Sequence, residues 1–322
     1  MNKYWLFDSA VRRSTEGAKI IPGKISKDER NPLFTEGIRE IPALPWEVLI
    51  GNGYPNVFYD PYIKKYRCYY TCYLSADHDN SGIKNTQEYK AKESRITGIL
   101  YAESEDGIHW LKPALGAIEY AGSSANNIVA LNTHGAGVFL DAEEKDPEKR
   151  YKIITRDDLG PLNIQAAFSA DGIHFKNWQP VIDDPRYPGD THNFVIRDPR
   201  SGAYLLYTRT FVREIRTEAR LVSDDFIHWT EGTVVLRGAD ADDQVYAMPV
   251  FIRMACTGDL PRSFIPGMRR FHILIMWKSN CVIPLTEFNG SGSLPVYLLF
   301  RMGLMEHMIS EFVIQPPRFL TG

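Results

Sequence analysis

One seven-residue figure constrains this chain more than anything else in it. It occurs as Ser104-Glu-Asp-Gly-Ile-His-Trp110, as Ser169-Ala-Asp-Gly-Ile-His-Phe175 and as Ser223-Asp-Asp-Phe-Ile-His-Trp229. The serines lie 65 and then 54 positions apart, and self-similarity at such a period marks one supersecondary unit per copy. An apolar run precedes each copy: Ile99-Leu-Tyr-Ala102, Ala166-Ala-Phe168 and Ala219-Arg-Leu-Val222. Ser and Asp side chains accept backbone N–H groups across a turn, and Gly supplies positive φ. The aromatic that follows packs between neighbouring sheets. The figure therefore predicts a tight hairpin joining the two outer strands of each unit. Its Ser, Asp and His hold the turn.

The rest of each unit follows one grammar. In the first, Tyr54–Asp60 reads as a strand, Pro61–Lys65 as a turn and Tyr66–Tyr73 as the antiparallel partner. In the second, His134–Asp141, the charged turn Ala142–Lys149 and Tyr151–Arg156 repeat it. In the third it returns as Asp190–Asp198, Pro199–Gly202 and Ala203–Arg209. A fourth opens with Asp243–Phe251. Asp60, Asp141 and Asp198 end the first strands and read as turn residues. Residues 1–50 form an irregular leader across the first unit, and 74–97 a polar surface insertion. No helical pattern of length precedes residue 252. The fold class is all-β with a radial repeat, about three and a half units being readable over residues 1–251.

Residues 252–322 break this grammar. Acidic residues nearly vanish, with only Asp259, Glu287, Glu306 and Glu311, and no further hairpin figure appears where one is due. Joining each codon's third base to the first two of the next codon permits S-x-D-G-V-Q-W across Ile283–Gly290, the missing figure at the expected distance. A frame change near Ile252, or a divergent C-terminal segment, accounts for the tail.

The composition narrows the function classes. Hydrophobic residues make up 44% and charged residues 24%, as in a globular chain. A net charge of −3 argues against nucleic acid or an anionic membrane as partner. No stretch approaches 18 apolar residues. Cys68, Cys72, Cys256 and Cys281 show no metal or disulfide spacing. With no apolar run of a signal peptide near Met1, reduced thiols in the cytoplasm are expected. No cofactor or metal-ligand cluster is indicated, and the sequence leaves the oligomeric state open. Aromatics at 12% suit a carbohydrate-binding surface or aromatic-rich sheets.

The three hairpin figures, the strand pairs ending in Asp turns and Gly189-Asp-Thr-His-Asn193 together resemble the five-bladed β-propeller glycoside hydrolases. That superfamily contains arabinanases, invertases and levansucrases, and the likeness covers about residues 40–251. It implies an incomplete five-bladed propeller whose active site lies where the first strands begin, around the axis. It also implies hydrolysis of an oligosaccharide or substituted sugar by carboxylates from different blades. On that resemblance Asp190 matches a stabilising Asp and is a stabiliser or base, or else a turn cap after Pro188-Gly189. Asp243 is a candidate acid. His192 is expected to share the face of Asp190 by strand alternation. Asn193, His134, Asn52, Trp46, Tyr54, Arg209, Gln244 and Tyr246 are candidate sugar contacts, with His134 reading equally as a blade-edge packing residue and Trp46, Tyr54 and Tyr246 as core aromatics. One departure is plain: Ile50-Gly51-Asn52-Gly53 stands without a carboxylate where the superfamily has one. A non-catalytic carbohydrate-binding propeller and an inactive product of a frameshifted gene are therefore the alternatives.

Overall fold

The computed structural model describes residues 29–33, 35–50, 52–74, 96–160, 163–238 and 244–254, with four short strands beyond them. By contacts the chain divides into Pro32–Pro249 and a second unit, Met1–Asn31 with Val250–Gly322. The larger unit is built from three antiparallel meanders. The first blade runs β1 (Glu47–Leu49), β2 (Asn56–Asp60), β3 (Lys65–Leu74), β4 (Ile96–Ser104), β5 (Trp110–Leu111) and β6 (Ile128–Leu131). Strands β2 to β5 pair in order, β1 adding to β3 and β6 to β4. The second blade is β7 (Thr133–Leu140), β8 (Tyr151–Asp157), β9 (Ile164–Ser169) and β10 (Lys176–Ile182). The third is β11 (Phe194–Arg197), β12 (Tyr204–Val212), β13 (Ile215–Ser223) and β14 (Thr233–Arg237).

In the second unit β15 (Val250–Met254), β16 (Phe271–Ile275) and β18 (Thr286–Glu287) form one sheet. Strands β17 (Ile283–Pro284) and β19 (Tyr297–Leu298) form another. The remainder of 252–322 lies outside the described residues. Among the described residues there is no α-helix, only 3-10 turns at Gly37–Arg39 and Pro147–Lys149, and no helix long and apolar enough to cross a membrane. The described residues are all-β, and the larger unit is an incomplete propeller with three blades formed.

Successive residues of a strand face opposite sides of its sheet, so a middle strand buried on both sides links two cores. On β8, Ile153 packs with Tyr69, Ile99 and Tyr101 of the first blade. Its neighbour Ile154 packs with Leu206, Leu221 and Phe226 of the third. The first strands lie side by side: Asn56 Oδ1 accepts from Val138 N at 3.1 Å, and Gly135 O accepts from Asn193 N at 2.9 Å.

The hairpins repeat atom for atom. Ser104, Ser169 and Ser223 Oγ each accept the N–H three residues on, at 2.9 Å. Asp106, Asp171 and Asp225 Oδ1 each accept two N–H groups further on. The other oxygen of each Asp pairs with His109, His174 or His228 Nδ1 at 2.6, 2.7 and 2.6 Å. The histidines are thus turn residues, as expected. The third copy carries a surprise, since Phe226 stands where the others have Gly. It takes φ +69, close to Gly107 at +75 and Gly172 at +76. A fully buried ring, 5.2 Å from Tyr204 and 6.0 Å from Phe168, compensates that backbone cost.

Two of the three Asp residues that end the first strands do more than turn the chain. Asp60 is fully buried, accepts from the Tyr151 hydroxyl of the next blade at 2.6 Å and lies 2.6 Å from Arg67 Nε. Asp141 repeats the arrangement with Tyr204 of the third blade at 2.6 Å and Lys152 at 3.2 Å. These are blade-to-blade locks.

Candidate active site

Two glycines explain how the third blade delivers its Asp to the second. A Cβ on Gly135 would stand 1.9 Å from Thr191 O, and one on Gly137 would stand 1.9 Å from Asn193 O. Without side chains there, residues 190–193 lie directly against β7. Gly135 also holds φ +66, a region that favours glycine. The approach sets Asp190 beside His134, at the start of β7. We expect Gly135→Ala to lower stability by about 1–3 kcal/mol or more, measured by denaturant unfolding, and to release Asp190 from His134.

Asp190 is the centre of a charged cluster. Its side chain is 54% exposed, with Oδ1 3.1 Å from His134 Nε2 and Oδ2 accepting from Arg209 Nη1 at 3.1 Å. His134 Nδ1 faces both oxygens of Asp158 at 2.7 and 2.8 Å. Asp158 also accepts from the Thr97 hydroxyl and lies 3.5 Å from Arg156 Nε. Its backbone N–H donates to Asn132 O at 2.9 Å. Partial burial alone would raise the Asp190 pKa. The hydrogen bond from His134 and the charges of Arg209, His134 and Arg156 outweigh it, so Asp190 is held ionised. Asp158 is likewise lowered, hydrogen bonding and charge from His134 overcoming burial.

His134 responds in the opposite direction. Burial would lower its pKa, but hydrogen bonds to Asp158 and Asp190 raise it to about 9. The folded chain therefore holds this proton more tightly than the unfolded chain, whose imidazole titrates near 6.5. The resulting stability is full below about pH 6.5 and is lost as pH rises through about 9. An NMR titration should follow the imidazole to about 9; an ordinary histidine value would contradict the cluster.

A second, aromatic half adjoins the charged one. Tyr246 O accepts from Arg209 Nη2 at 2.9 Å, and the guanidinium lies 5.0 Å from the Tyr246 ring centre. Asn52 Nδ2 donates to the Tyr246 hydroxyl at 2.6 Å and to the Tyr54 hydroxyl at 3.1 Å. Burial and the Tyr246 hydroxyl push Tyr54 far above the usual phenol range. Tyr54 also holds φ +45, a strained backbone of the kind that gathers at binding sites. Asn52, Tyr54, His134, Arg209, Asp190 and Tyr246 thus join into one site fed by all three blades. It offers an ionised carboxylate, an imidazolium, a guanidinium, an amide and two phenols. That set can bind hydroxyl groups and stabilise developing positive charge on a bound sugar.

Three sequence-based expectations are corrected. Strand β11 begins only at Phe194, so alternation does not apply to residues 190–193. His192 points inward, 2% exposed, its Nε2 3.1 Å from Asn56 Oδ1, and burial lowers its pKa to about 3. Asn193 is fully buried, donating to Gly135 O and Gly189 O and accepting from Thr208; it is a brace and touches no open surface. Trp46 donates to Asn127 at 2.8 Å and packs on the first blade's core, with Cys68 and Tyr70. Gln244 accepts from Arg216 at 3.1 Å and stays a candidate contact. Asp243 lies outside the described residues.

Two residues escaped sequence reasoning. Asp158 was signalled only by the polar run Arg156-Asp157-Asp158. Glu218 sits opposite Arg209 in the β12–β13 pairing and is fully buried, with neither carboxyl oxygen hydrogen-bonded. Burial holds its pKa well above the usual range despite the Arg209 charge. Among the described residues no group of three His, Cys, Asp or Glu could hold a metal ion.

No protein-family model matches the sequence, and no curated protein matches it. Among solved structures, the chain is similar to an N-acetylgalactosamine deacetylase from F. plautii, with 12% identity, TM-score 0.42, and 69% of this chain and 61% of that one covered. It is also similar to a fructofuranosidase from Schwanniomyces occidentalis, with 14% identity, TM-score 0.47 and coverages of 75% and 45%. An exo-inulinase from Aspergillus awamori gives 13% identity, TM-score 0.46 and coverages of 75% and 48%. The chain spans between 45% and 61% of these proteins' lengths.

Proposed function

We propose that this chain is a glycoside hydrolase whose substrate sits over Asp190. The observation that supports the reading is an exposed carboxylate, held ionised by two cations, at the point where three blades converge. Glycoside cleavage needs one ionised carboxylate and one protonated acid on either side of the scissile bond. In this reading Asp190 is the ionised member. A water molecule adds its hydroxide to the anomeric carbon and gives its proton to Asp190. The acid, assigned to Asp243, protonates the departing oxygen as the carbon–oxygen bond breaks. His134 and Arg209 keep Asp190 ionised, while Asn52, Tyr54 and Tyr246 contact sugar hydroxyls and ring faces.

A second reading, a carbohydrate-binding propeller without turnover, is favoured by Asn52. That amide occupies the entry of the first blade, hydrogen-bonded to Tyr246 and Tyr54, where the resemblance calls for a carboxylate. A product inactivated by a frame change near Ile252 is the third. A panel of oligosaccharides and 4-nitrophenyl glycosides, assayed for binding and for released sugar, tests the proposal. Binding together with release supports hydrolysis. Binding without release on any member of the panel establishes the second reading instead.

A further inference from the structure

Between the outer part of the first blade and the outer hairpin of the second lies a groove of about 430 Å³. Strand β6 and Asn132 form one wall, while Gln165, the hairpin residues 173–176 and Trp178 form the other. Its apolar surface is aromatic and aliphatic: Trp178 is 37% exposed and Leu159 78% exposed. Phe175 lies beside the indole, ring centres 6.5 Å apart and tilted. The polar groups beside it are uncommitted. The amides of Asn132 and Gln165, the Lys176 ammonium and the Trp178 indole N–H make no hydrogen bond within the described chain. His174 uses only Nδ1, on Asp171.

The charges in the groove select the class of ligand. One ammonium and one carboxylate, Asp157, line it, and Asp157 Oδ1 already accepts from Leu159 N at 2.9 Å. An anion would find no converging cations, and a cation would find half a carboxylate. An occupant with an apolar face and neutral hydroxyls matches both surfaces: its C–H face lies on Trp178 and its hydroxyls meet two amides, which both donate and accept. Asn132 and Asp157 continue the groove toward the candidate site, since Asn132 O holds the N–H of Asp158. We propose that this groove is a saccharide-binding site separate from the Asp190 cluster, taking a neutral oligosaccharide chain against Trp178.

The test is native electrophoresis of the full chain in gels containing inulin, arabinan, xylan or galactomannan. At least one of these should retard the chain. Trp178→Ala should weaken that retardation at least about tenfold in apparent Kd, the loss expected for a central aromatic anchor. The double variant Gln165→Ala/Lys176→Ala should weaken it too, and reads the groove even if Trp178→Ala fails to fold. No retardation by any polymer would overturn the proposal. So would full retardation of the double variant, or retardation lost only in Asp190→Asn, which places binding at the blade convergence instead.

Discussion

Asp141→Ala should lower the stability of the propeller by about 3–5 kcal/mol, the usual result of leaving a buried charge without its partner. The carboxylate is 1% exposed, and three groups depend on it. Tyr204 donates at 2.6 Å, Arg197 at 2.7 Å, and Lys152 Nζ lies 3.2 Å away with its side chain 2% exposed. Burial works against the ionised form, but the hydrogen bonds from Tyr204 and Arg197 and the Lys152 charge overcome it and lower the Asp141 pKa. Removing the carboxylate strands a buried ammonium with Glu144 and one carbonyl oxygen, and cuts a link between blades two and three. The third Asp of the series is the control. Asp198 is half-buried and, among the described residues, its carboxylate accepts only from its own turn, Arg200 N and Ser201 Oγ, so Asp198→Ala should cost about 1 kcal/mol. Denaturant midpoints of the two variants check the contrast. Equal losses would remove the lock interpretation.

The largest effect on function is expected from Asp190→Asn. The amide keeps the shape and removes the charge, so general-base assistance worth about 10²–10⁴-fold in rate is lost. Stability should change little, by about 0–1 kcal/mol, because the carboxylate is 54% exposed and its ion pairs are screened by water. His134 supplies an internal check. Losing one of its two carboxylates should lower its pKa from about 9, while Asp158 keeps it above the ordinary imidazole value. A variant with normal turnover and an unmoved His134 would take Asp190 out of the mechanism.

The hairpins were legible because their chemistry is local. Ser104, Asp106 and His109 bond within three residues of one another, and short-range composition carries such patterns. The site was legible only in part. Asp190 and His134 are 56 positions apart, and what joins them is the bare backbone of Gly135 and Gly137 under residues 191 and 193. Sequence showed the glycines without showing what they admit. Alternation misplaced His192 because the backbone before Phe194 is not a strand. Asp60 and Asp141 do hold their turns, but local sequence cannot show their second role, because their partners Tyr151 and Tyr204 belong to the following blade. Phe226 at a glycine position follows the same rule, since the pocket that compensates its φ comes from Phe168 and Tyr204.

The most direct measurement incubates the full chain with an oligosaccharide it binds, in water enriched in the heavy oxygen isotope. Mass spectrometry then follows the released reducing end. Hydrolysis must place one water oxygen in the product. Label is expected in the sugar released by the wild-type chain, and none above the buffer background with Asp190→Asn. Intact, unlabelled oligosaccharide recovered from both proteins, or equal labelling by both, would contradict it.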